Sequence, residues 1–176
     1  GEQVGSGSLD FIRKSNYESF IEYSRPLLAQ YGERIILPVD VAFLDESDRR
    51  AEAEIGAVPA DICVMDIGSK TAADYRERIL AAKTVFVNGP LGVFEKPETE
   101  HGTRTIWNAL AQTKAYTVLG GGDSITATEQ YGLVDRMGYI CTGGGALIRF
   151  LTGEELPVVK ALRHAAQAFP ADHPKE

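Results

Sequence analysis

Several features that mark other protein classes are scarce in this 176-residue chain. It has two cysteines, Cys63 and Cys141, which lie in β-prone segments without metal-ligand spacing, so buried reduced thiols are favoured over a disulfide. No apolar run is long enough to cross a bilayer, and the first residues lack the basic and hydrophobic parts of a signal peptide. Lysine and arginine are scattered within a net charge of −7, which argues against a nucleic-acid-binding face. We therefore expect a cytoplasmic protein that binds neither membranes nor nucleic acid.

Histidine and tryptophan supply no candidate for catalysis. The three histidines, His101, His164 and His173, share no spacing with one another or with carboxylates that would indicate a zinc site or a catalytic triad. They are interpreted as surface residues. The single tryptophan, Trp107, lies on the face of a predicted helix and is interpreted as a core residue.

Glycine is abundant, and much of it falls in three turns that each follow an apolar, β-prone segment. The turns are residues 88–95 (NGPLGVFE), 120–124 (GGGDS) and 142–146 (TGGGA). The carboxyl ends of parallel strands share one edge of an open α/β sheet, so we expect the turns to line a single crevice. Glycine lets backbone N–H groups approach an anion closely, and a helix that starts after the turn adds its positive end. The predicted ligand is a polyphosphate.

Strand and helix patterns alternate along the chain. Residues 35–39 and 62–67 have the short apolar runs of buried strands, whereas the charged stretch 45–54 is interpreted as a surface excursion. Strands that alternate with helices predict an α/β fold with a mainly parallel sheet and helices on both faces.

Four helices are predicted. The first has capping-box spacing from Ser15 to Glu18, and Pro26 within it predicts a kink or break near Arg25. Thr71 is predicted to cap the second helix. The predicted helices cover residues 15–31, 72–82, 103–111 and 157–169.

These motifs, in this order, resemble the C-terminal, nucleotide-binding half of phosphoglycerate kinase. A glycine triplet alone is weak evidence, whereas the long motif at 88–95 followed by two triplets is specific. Some residues resemble the archaeal branch of this family more than its bacterial or eukaryotic branches, namely Asp66-Ile67-Gly68, Val87 and Leu91. The matching segments extend over nearly the whole chain and are residues 37–40 (LPVD), 88–95, 102–103 (GT), 120–124, 142–146 and 153–157 (GEELP).

The resemblance implies a Rossmann-like parallel sheet of strand order 3-2-1-4-5-6 that lacks its first strands here. Residues 1–169 would form a partial C-terminal nucleotide-binding domain, and residues 170–176 a polar tail. The family's substrate-binding N-terminal half, its catalytic arginine and its glycine-alanine-lysine motif have no counterpart in this sequence. The strand at 35–39 would then lack a neighbour, so we expect the chain to fold only together with the missing segment.

The resemblance also implies a role for individual residues. Glu95 would accept hydrogen bonds from the ribose hydroxyls, and Asp123 would hold the magnesium ion of the nucleotide. For Asp123 a helix N-cap is the plainer alternative. Val64, Met65 and Gly68 fall where the family forms its adenine slot, although by composition they would be core. The other implied nucleotide contacts are Asn88, Pro90, Gly92, Val93, Gly120, Gly121, Gly122, Ser124 and Thr142.

The third turn would act on the transferred group itself. Gly143, Gly144 and Gly145 match the turn whose N–H groups face the phosphoryl group in the transition state. The family usually has serine where this chain has Cys141, so one hydroxyl beside the phosphate is missing. The plainer interpretation of the triplet is tight packing between a strand and a helix.

The implied reaction is reversible phosphoryl transfer between 1,3-bisphosphoglycerate and ADP, which gives 3-phosphoglycerate and ATP, with the nucleotide bound as its Mg²⁺ complex. This chain would supply the nucleotide side, and the missing half would bind the three-carbon acid. A second hypothesis is a non-catalytic nucleotide-binding or interaction module derived from the same fold. The intact motifs favour the first hypothesis.

Overall fold

A computed structural model describes residues 3–169 of the chain, and the predicted tail at 170–176 lies outside them. The helices of this part are α1 (Ser6–Lys14), α2 (Glu18–Tyr31), α3 (Ser69–Ala81), α4 (His101–Gln112), α5 (Gly122–Gln130), α6 (Gly145–Leu151) and α7 (Pro157–Ala168). The strands are β1 (Asp40–Leu44), β2 (Arg50–Glu54), β3 (Asp66–Ile67), β4 (Thr84–Asn88), β5 (Tyr116–Gly120) and β6 (Tyr139–Cys141). Within this part, no helix is both long and apolar enough to span a membrane.

The parallel sheet has the order β4-β5-β6 and confirms the predicted α/β fold. Helices α3, α4 and α5 pack on one of its faces, where Trp107 is fully buried and donates a 2.7 Å hydrogen bond from Nε1 to Thr128 Oγ1. The prediction of Trp107 as a core residue is confirmed. The core cluster comprises Phe94, Ile106, Trp107, Leu110, Leu119 and Ala127.

The second face of the parallel sheet is only partly covered in the described residues. Leu147 of α6 reaches this face, since a methyl group added at Gly120 would lie 2.6 Å from its side chain. Phe86, Tyr116 and Tyr139 on the same face remain exposed at 42%, 56% and 53%. The outer edge of β4 also has no strand beside it in the part of the chain that is described.

A second sheet of order β2-β1-β3 is antiparallel and was not predicted. The interpretation of 45–54 as a surface excursion is wrong for its second half, because residues 50–54 form β2. Asp45 builds the turn before it by accepting the N–H groups of Ser47 and Arg49 at 2.8 and 3.0 Å. In β2 charged residues alternate with Ala51 and Ala53, which is the period of two typical of a strand. The high charge of the segment led to its interpretation as a surface excursion.

Two strand predictions need correction. Residues 35–39 form no strand in the structure, and strand 62–67 shrinks to Asp66–Ile67. A strand needs a hydrogen-bonding neighbour along its length, and in residues 35–39 this is met only at the last residue, where the Val39 carbonyl accepts the Ile55 N–H at 3.0 Å. Other polar backbone groups of the segment bind side chains instead: the Ile36 carbonyl accepts a 2.7 Å bond from the Tyr75 hydroxyl, and the Val39 N–H donates to Thr71 Oγ1 at 3.0 Å.

The first predicted helix corresponds to α2, and α1 before it was not predicted. The predicted capping box between Ser15 and Glu18 does not form, because Asn16 between the two helices has a left-handed φ of 57° and α2 begins at Glu18 without a side-chain cap. Of the predicted kink or break near Arg25, the break is wrong, since α2 continues through Pro26, and the kink stays a prediction.

The start of α3 depends on two carboxylates from the antiparallel sheet. Asp40 accepts the N–H groups of Lys70 and Thr71 at 2.9 and 2.8 Å, and Glu52 accepts the N–H of Ser69 at 2.9 Å. These N–H groups have no partner within the helix, so the two side chains cap it from outside. The prediction that Thr71 caps the helix is wrong, because Thr71 lies inside α3 and its hydroxyl donates to Asp40 at 2.5 Å.

The same contacts shift the titration of both acids. Burial alone would raise the pKa of Asp40, but the hydrogen bonds from Thr71 and Lys70 and the charge of Lys70 outweigh it, and the pKa falls below 3.8. Burial likewise opposes the hydrogen bonds from Ser69 and Arg50 at Glu52, and its pKa falls below 4.5. A lowered pKa means that the ionised acid stabilises the fold at neutral pH, and that this stabilisation is lost as the pH falls from these values.

We predict that Asp40→Asn lowers the free energy of unfolding by about 2 kcal/mol at neutral pH, because charge-assisted bonds to two N–H groups and a hydroxyl become neutral ones. The difference from wild type should shrink as the pH falls below 3.8, where wild-type Asp40 also becomes protonated. Denaturant titrations at several pH values measure it, with the exposed Asp61→Asn as control. A difference that is constant with pH would contradict the capping role.

Candidate functional site

The three glycine turns meet at one edge of the parallel sheet, as predicted from the sequence. Asn88, Gly120 and Cys141 lie side by side at the carboxyl ends of β4, β5 and β6. The N–H of Gly89 donates to Ser124 Oγ at 2.7 Å, which joins the first turn to the second. Backbone groups from all three turns therefore lie along one crevice.

Two helices start at this edge. Gly121 precedes α5 with a φ of 91°, and Gly144 precedes α6 with a φ of 46°. Both values lie in the left-handed region that glycine adopts without a steric penalty. The unpaired N–H groups and positive dipole end of α5 open toward the crevice edge, an arrangement suited to phosphate.

Asp123 lies in the first turn of α5 with its side chain exposed. It is not the N-cap, which is Gly121, so the plainer alternative for this residue is wrong. In the described part of the chain its carboxylate has neither a hydrogen bond nor an ion pair, and no cluster of three or more metal-ligating side chains forms. One free carboxylate at a helix start fits a hard cation whose remaining ligands are phosphates and water.

Ser124 has a different environment from Asp123. It is fully buried, and its hydroxyl accepts the Gly89 N–H, so it fixes the first two turns relative to each other. The proposed contact of Ser124 with phosphate stays a prediction. In the third turn, Thr142, Gly143 and Gly145 are exposed, and a methyl group at Gly143 would lie 3.3 Å from Cys141 Sγ.

An apolar cavity of about 620 Å³ lies between α1, β3 and the loop after β4. Four residues assigned to the nucleotide from the sequence line it: Val64, Met65, Gly92 and Val93. Its size and apolar lining suit a flat aromatic base. Gly68 does not line it but packs on a buried acid, since a methyl group there would lie 2.2 Å from Asp40 Cγ.

The loop at 89–95 rests on β3. The Val93 N–H donates to the Met65 carbonyl at 2.8 Å, and Leu91 N–H donates to Thr103 Oγ1 at 3.2 Å. Pro90 is half-buried in this loop, whereas Asn88 before it and Glu95 at its end are exposed. The predicted ribose contact of Glu95 therefore remains sterically open.

Sequence reasoning missed two residues behind this loop, Arg50 and Asp66. The Asp66 side chain is fully buried and accepts 2.9 Å and 2.7 Å bonds from the N–H groups of Ile67 and Gly102. Arg50 Nη1 completes the set at 2.9 Å. Two signals were available: Asp66 is an acid inside the otherwise apolar run 62–67, and Arg50 begins a stretch that alternates charged residues with alanine.

Fold and site together define a class: an α/β protein whose parallel sheet ends in helix-leading glycine turns, the position at which such folds bind nucleotides. A family model for phosphoglycerate kinase matches residues 8–154, and the chain belongs to the phosphoglycerate kinase family. The recognition made from the motifs is confirmed.

Relatives and solved structures agree. The chain is 39% identical over 171 residues to phosphoglycerate kinase of Thermoplasma volcanium and covers 41% of that protein and 96% of itself. For the Methanothermus fervidus enzyme the identity is 41% over 165 residues, covering 94% of this chain and 40% of the relative. Both relatives are archaeal. The chain thus spans about two fifths of the length of the curated relatives it matches.

The crystal structure of phosphoglycerate kinase from Pyrococcus horikoshii OT3 matches with a TM-score of 0.83 at 35% identity, over 94% of this chain and 42% of that one. The Coxiella burnetii structure matches with a TM-score of 0.77 at 32% identity, over 92% of this chain and 45% of that one. The similarity thus extends to the arrangement of the elements.

We predict that Gly92→Ala destabilises the protein by about 1–3 kcal/mol, the usual cost of overpacking. The added methyl would lie 2.6 Å from the Met65 carbonyl and 2.6 Å from Asp66 Oδ1, neither of which can move freely. Gly122→Ala is the matched control, because nothing lies within 4 Å of its added methyl. Thermal unfolding measures both, and equal melting temperatures would contradict the close approach at Gly92.

Proposed function

We propose that this chain is the nucleotide-binding part of a phosphoglycerate kinase and holds Mg-ADP or Mg-ATP during reversible phosphoryl transfer with 1,3-bisphosphoglycerate and 3-phosphoglycerate. The observation that carries the proposal is the meeting of three glycine turns at one sheet edge, with a free Asp123 at the start of α5. Phosphoryl transfer requires mainly positioning and charge stabilisation from the protein, which backbone N–H groups provide.

In this proposal the adenine enters the cavity beside Val64, Met65 and Val93, and Glu95 accepts the ribose hydroxyls. The phosphates follow the crevice edge past Asn88 and the turns at 120–122 and 142–145. A carboxylate can only accept hydrogen bonds, so Glu95 suits hydroxyl donors. Residues 1–169 form the partial nucleotide domain and 170–176 its tail.

Asp123 would hold the magnesium ion, which offsets phosphate charge and orients the phosphate oxygens when bound. The N–H groups of Gly143, Gly144 and Gly145 would face the transferred group and stabilise its charge without reorganisation. Because the third turn has Cys141 where the family usually has serine, these backbone groups act there without an added hydroxyl.

In this proposal the cations that the reaction needs come from elsewhere in a longer kinase. The net charge of this chain is −7, and several of its described arginines are already paired: Arg50 with Asp66, Arg78 with Asp74 and Arg104 with Glu100. The open edge of β4 and the exposed Phe86 beside it are where a further strand and covering helices would pack. We propose a cytoplasmic location for this kinase.

We predict that the complete protein binds Mg-ADP and that Asp123→Ala weakens this binding by at least about tenfold, since even outer-sphere partners of a metal contribute that much. Calorimetric titration with and without magnesium measures it. Without magnesium the two proteins should differ much less, because the lost contact is to the metal.

Glu129→Ala is the matched control, an exposed acid in the last turn of the same helix. It should bind Mg-ADP as wild type does. Equal affinity of wild type and Asp123→Ala in magnesium would remove Asp123 from the metal site. Absence of Mg-ADP binding by the wild-type protein would contradict the proposed function.

We predict that the 176-residue chain alone does not turn over substrate. The acid-binding groups and the cation that faces the transferred phosphoryl group are missing, and one such cation contributes about 10³-fold or more. A coupled kinase assay of the purified chain beside the complete protein measures it. Turnover near that of the complete enzyme would contradict the assignment of roles, whereas nucleotide binding without turnover in the complete protein would favour the non-catalytic module.

A further inference from the structure

An ion pair behind the nucleotide loop joins four separate pieces of the chain. Arg50 of β2 donates from Nη1 to Asp66 Oδ2 at 2.9 Å and from Nη2 to the Ile67 carbonyl at 2.9 Å. Its Nη1 also lies 3.5 Å from the Glu98 carbonyl, in the segment that leads from the loop to α4. The antiparallel hairpin is thereby fixed to β3 and to the end of the loop.

Asp66 forms the other half of the junction. Its carboxylate holds the N–H of Gly102 at the start of α4 and packs directly under the loop, because a methyl group at Gly92 would lie 2.6 Å from Oδ1. The adjacent Met65 carbonyl binds the Val93 N–H at 2.8 Å. The backbone of the loop therefore lies where the Asp66 carboxylate and β3 put it.

The pair cannot contact a ligand itself. The Asp66 side chain has no exposed surface, and its oxygens already accept from two N–H groups and a guanidinium. Arg50 is 19% exposed and has three further acceptors besides Asp66: the Ile67 and Glu98 carbonyls and the Glu52 carboxylate. Any effect of these two side chains on a bound nucleotide must therefore be indirect, through the loop and the β3 residues that line the cavity.

We propose that Arg50 and Asp66 are positioning residues that set the affinity for the nucleotide through the loop at 89–95. The inference rests on the proposed function, because the loop residues Gly92 and Val93 line the apolar cavity assigned to the base. A guanidinium suits the task, since its planar fork binds Asp66 and the Ile67 carbonyl at the same time. Lysine has the same charge, but its single ammonium group lacks the planar pair of N–H donors that binds both acceptors at once.

The test measures Arg50→Gln and Arg50→Lys in the complete protein by calorimetry with Mg-ADP and by steady-state kinetics. We expect Arg50→Gln to raise the Kd and the KM for Mg-ADP roughly tenfold, as a displaced binding loop would. The kcat at saturating ADP and the KM for the three-carbon substrate should change less than about twofold, because the other turns are untouched. Arg50→Lys should fall between Arg50→Gln and wild type.

Arg49→Gln is the matched control. Arg49 is the neighbouring arginine of the same hairpin, and its pair with Asp45 is exposed, so its removal should leave all constants unchanged. Asp66→Asn tests the partner and should raise the KM for Mg-ADP as Arg50→Gln does.

Three results would overturn the inference. The first is an unchanged KM for Mg-ADP in Arg50→Gln, with a kcat that decreases only as much as the fraction of folded protein does. The pair would then contribute to stability and not to nucleotide affinity. Failure of Arg50→Lys, the mildest change, to fold would lead to the same conclusion. A KM that rises equally for both substrates would place the effect outside the loop. Failure of the proposed function is distinct, since wild type itself would then not bind Mg-ADP.

Discussion

The buried Asp66 carboxylate is the constraint on which the arrangement of this chain depends. A charge without access to water must be paired and hydrogen-bonded, and Asp66 meets that demand with Arg50 and the N–H groups of Ile67 and Gly102. These partners come from β2, β3 and α4, so satisfying one acid brings three elements together. Gly92 follows from the same constraint, because only a residue without a side chain fits above the carboxylate.

Charge also bears on how an acidic chain could offer the proposed site to a polyanion. With a net charge of −7, the phosphate binding that we propose must depend on local groups and not on the overall field of the chain. Glycine turns with left-handed backbone at Gly121 and Gly144 aim helix starts at the sheet edge. Asp123 then adds a negative charge in the same place, an arrangement that favours a phosphate chain that carries its own divalent cation.

The sequence was sufficient to predict those parts of the fold and the candidate site that depend on residues close together in the chain. Glycine turns after β-prone runs predicted the crevice edge, and the pairing of Asn88 with Gly120 and of Gly120 with Cys141 confirms that the turns meet. Patterns that depend on distant partners were missed. Arg50 and Asp66 are 16 positions apart, and the apolar run at 35–39 forms a strand only if another strand lies beside it.

The most direct measurement is a crystal structure of the complete protein with Mg-ADP. We expect the base in the cavity between Met65 and Val93, the phosphates against the helix start after Gly121, and the magnesium ion on the Asp123 carboxylate. A nucleotide bound with its base outside that cavity, or with its phosphates away from the turns at 120–122 and 142–145, would contradict the account.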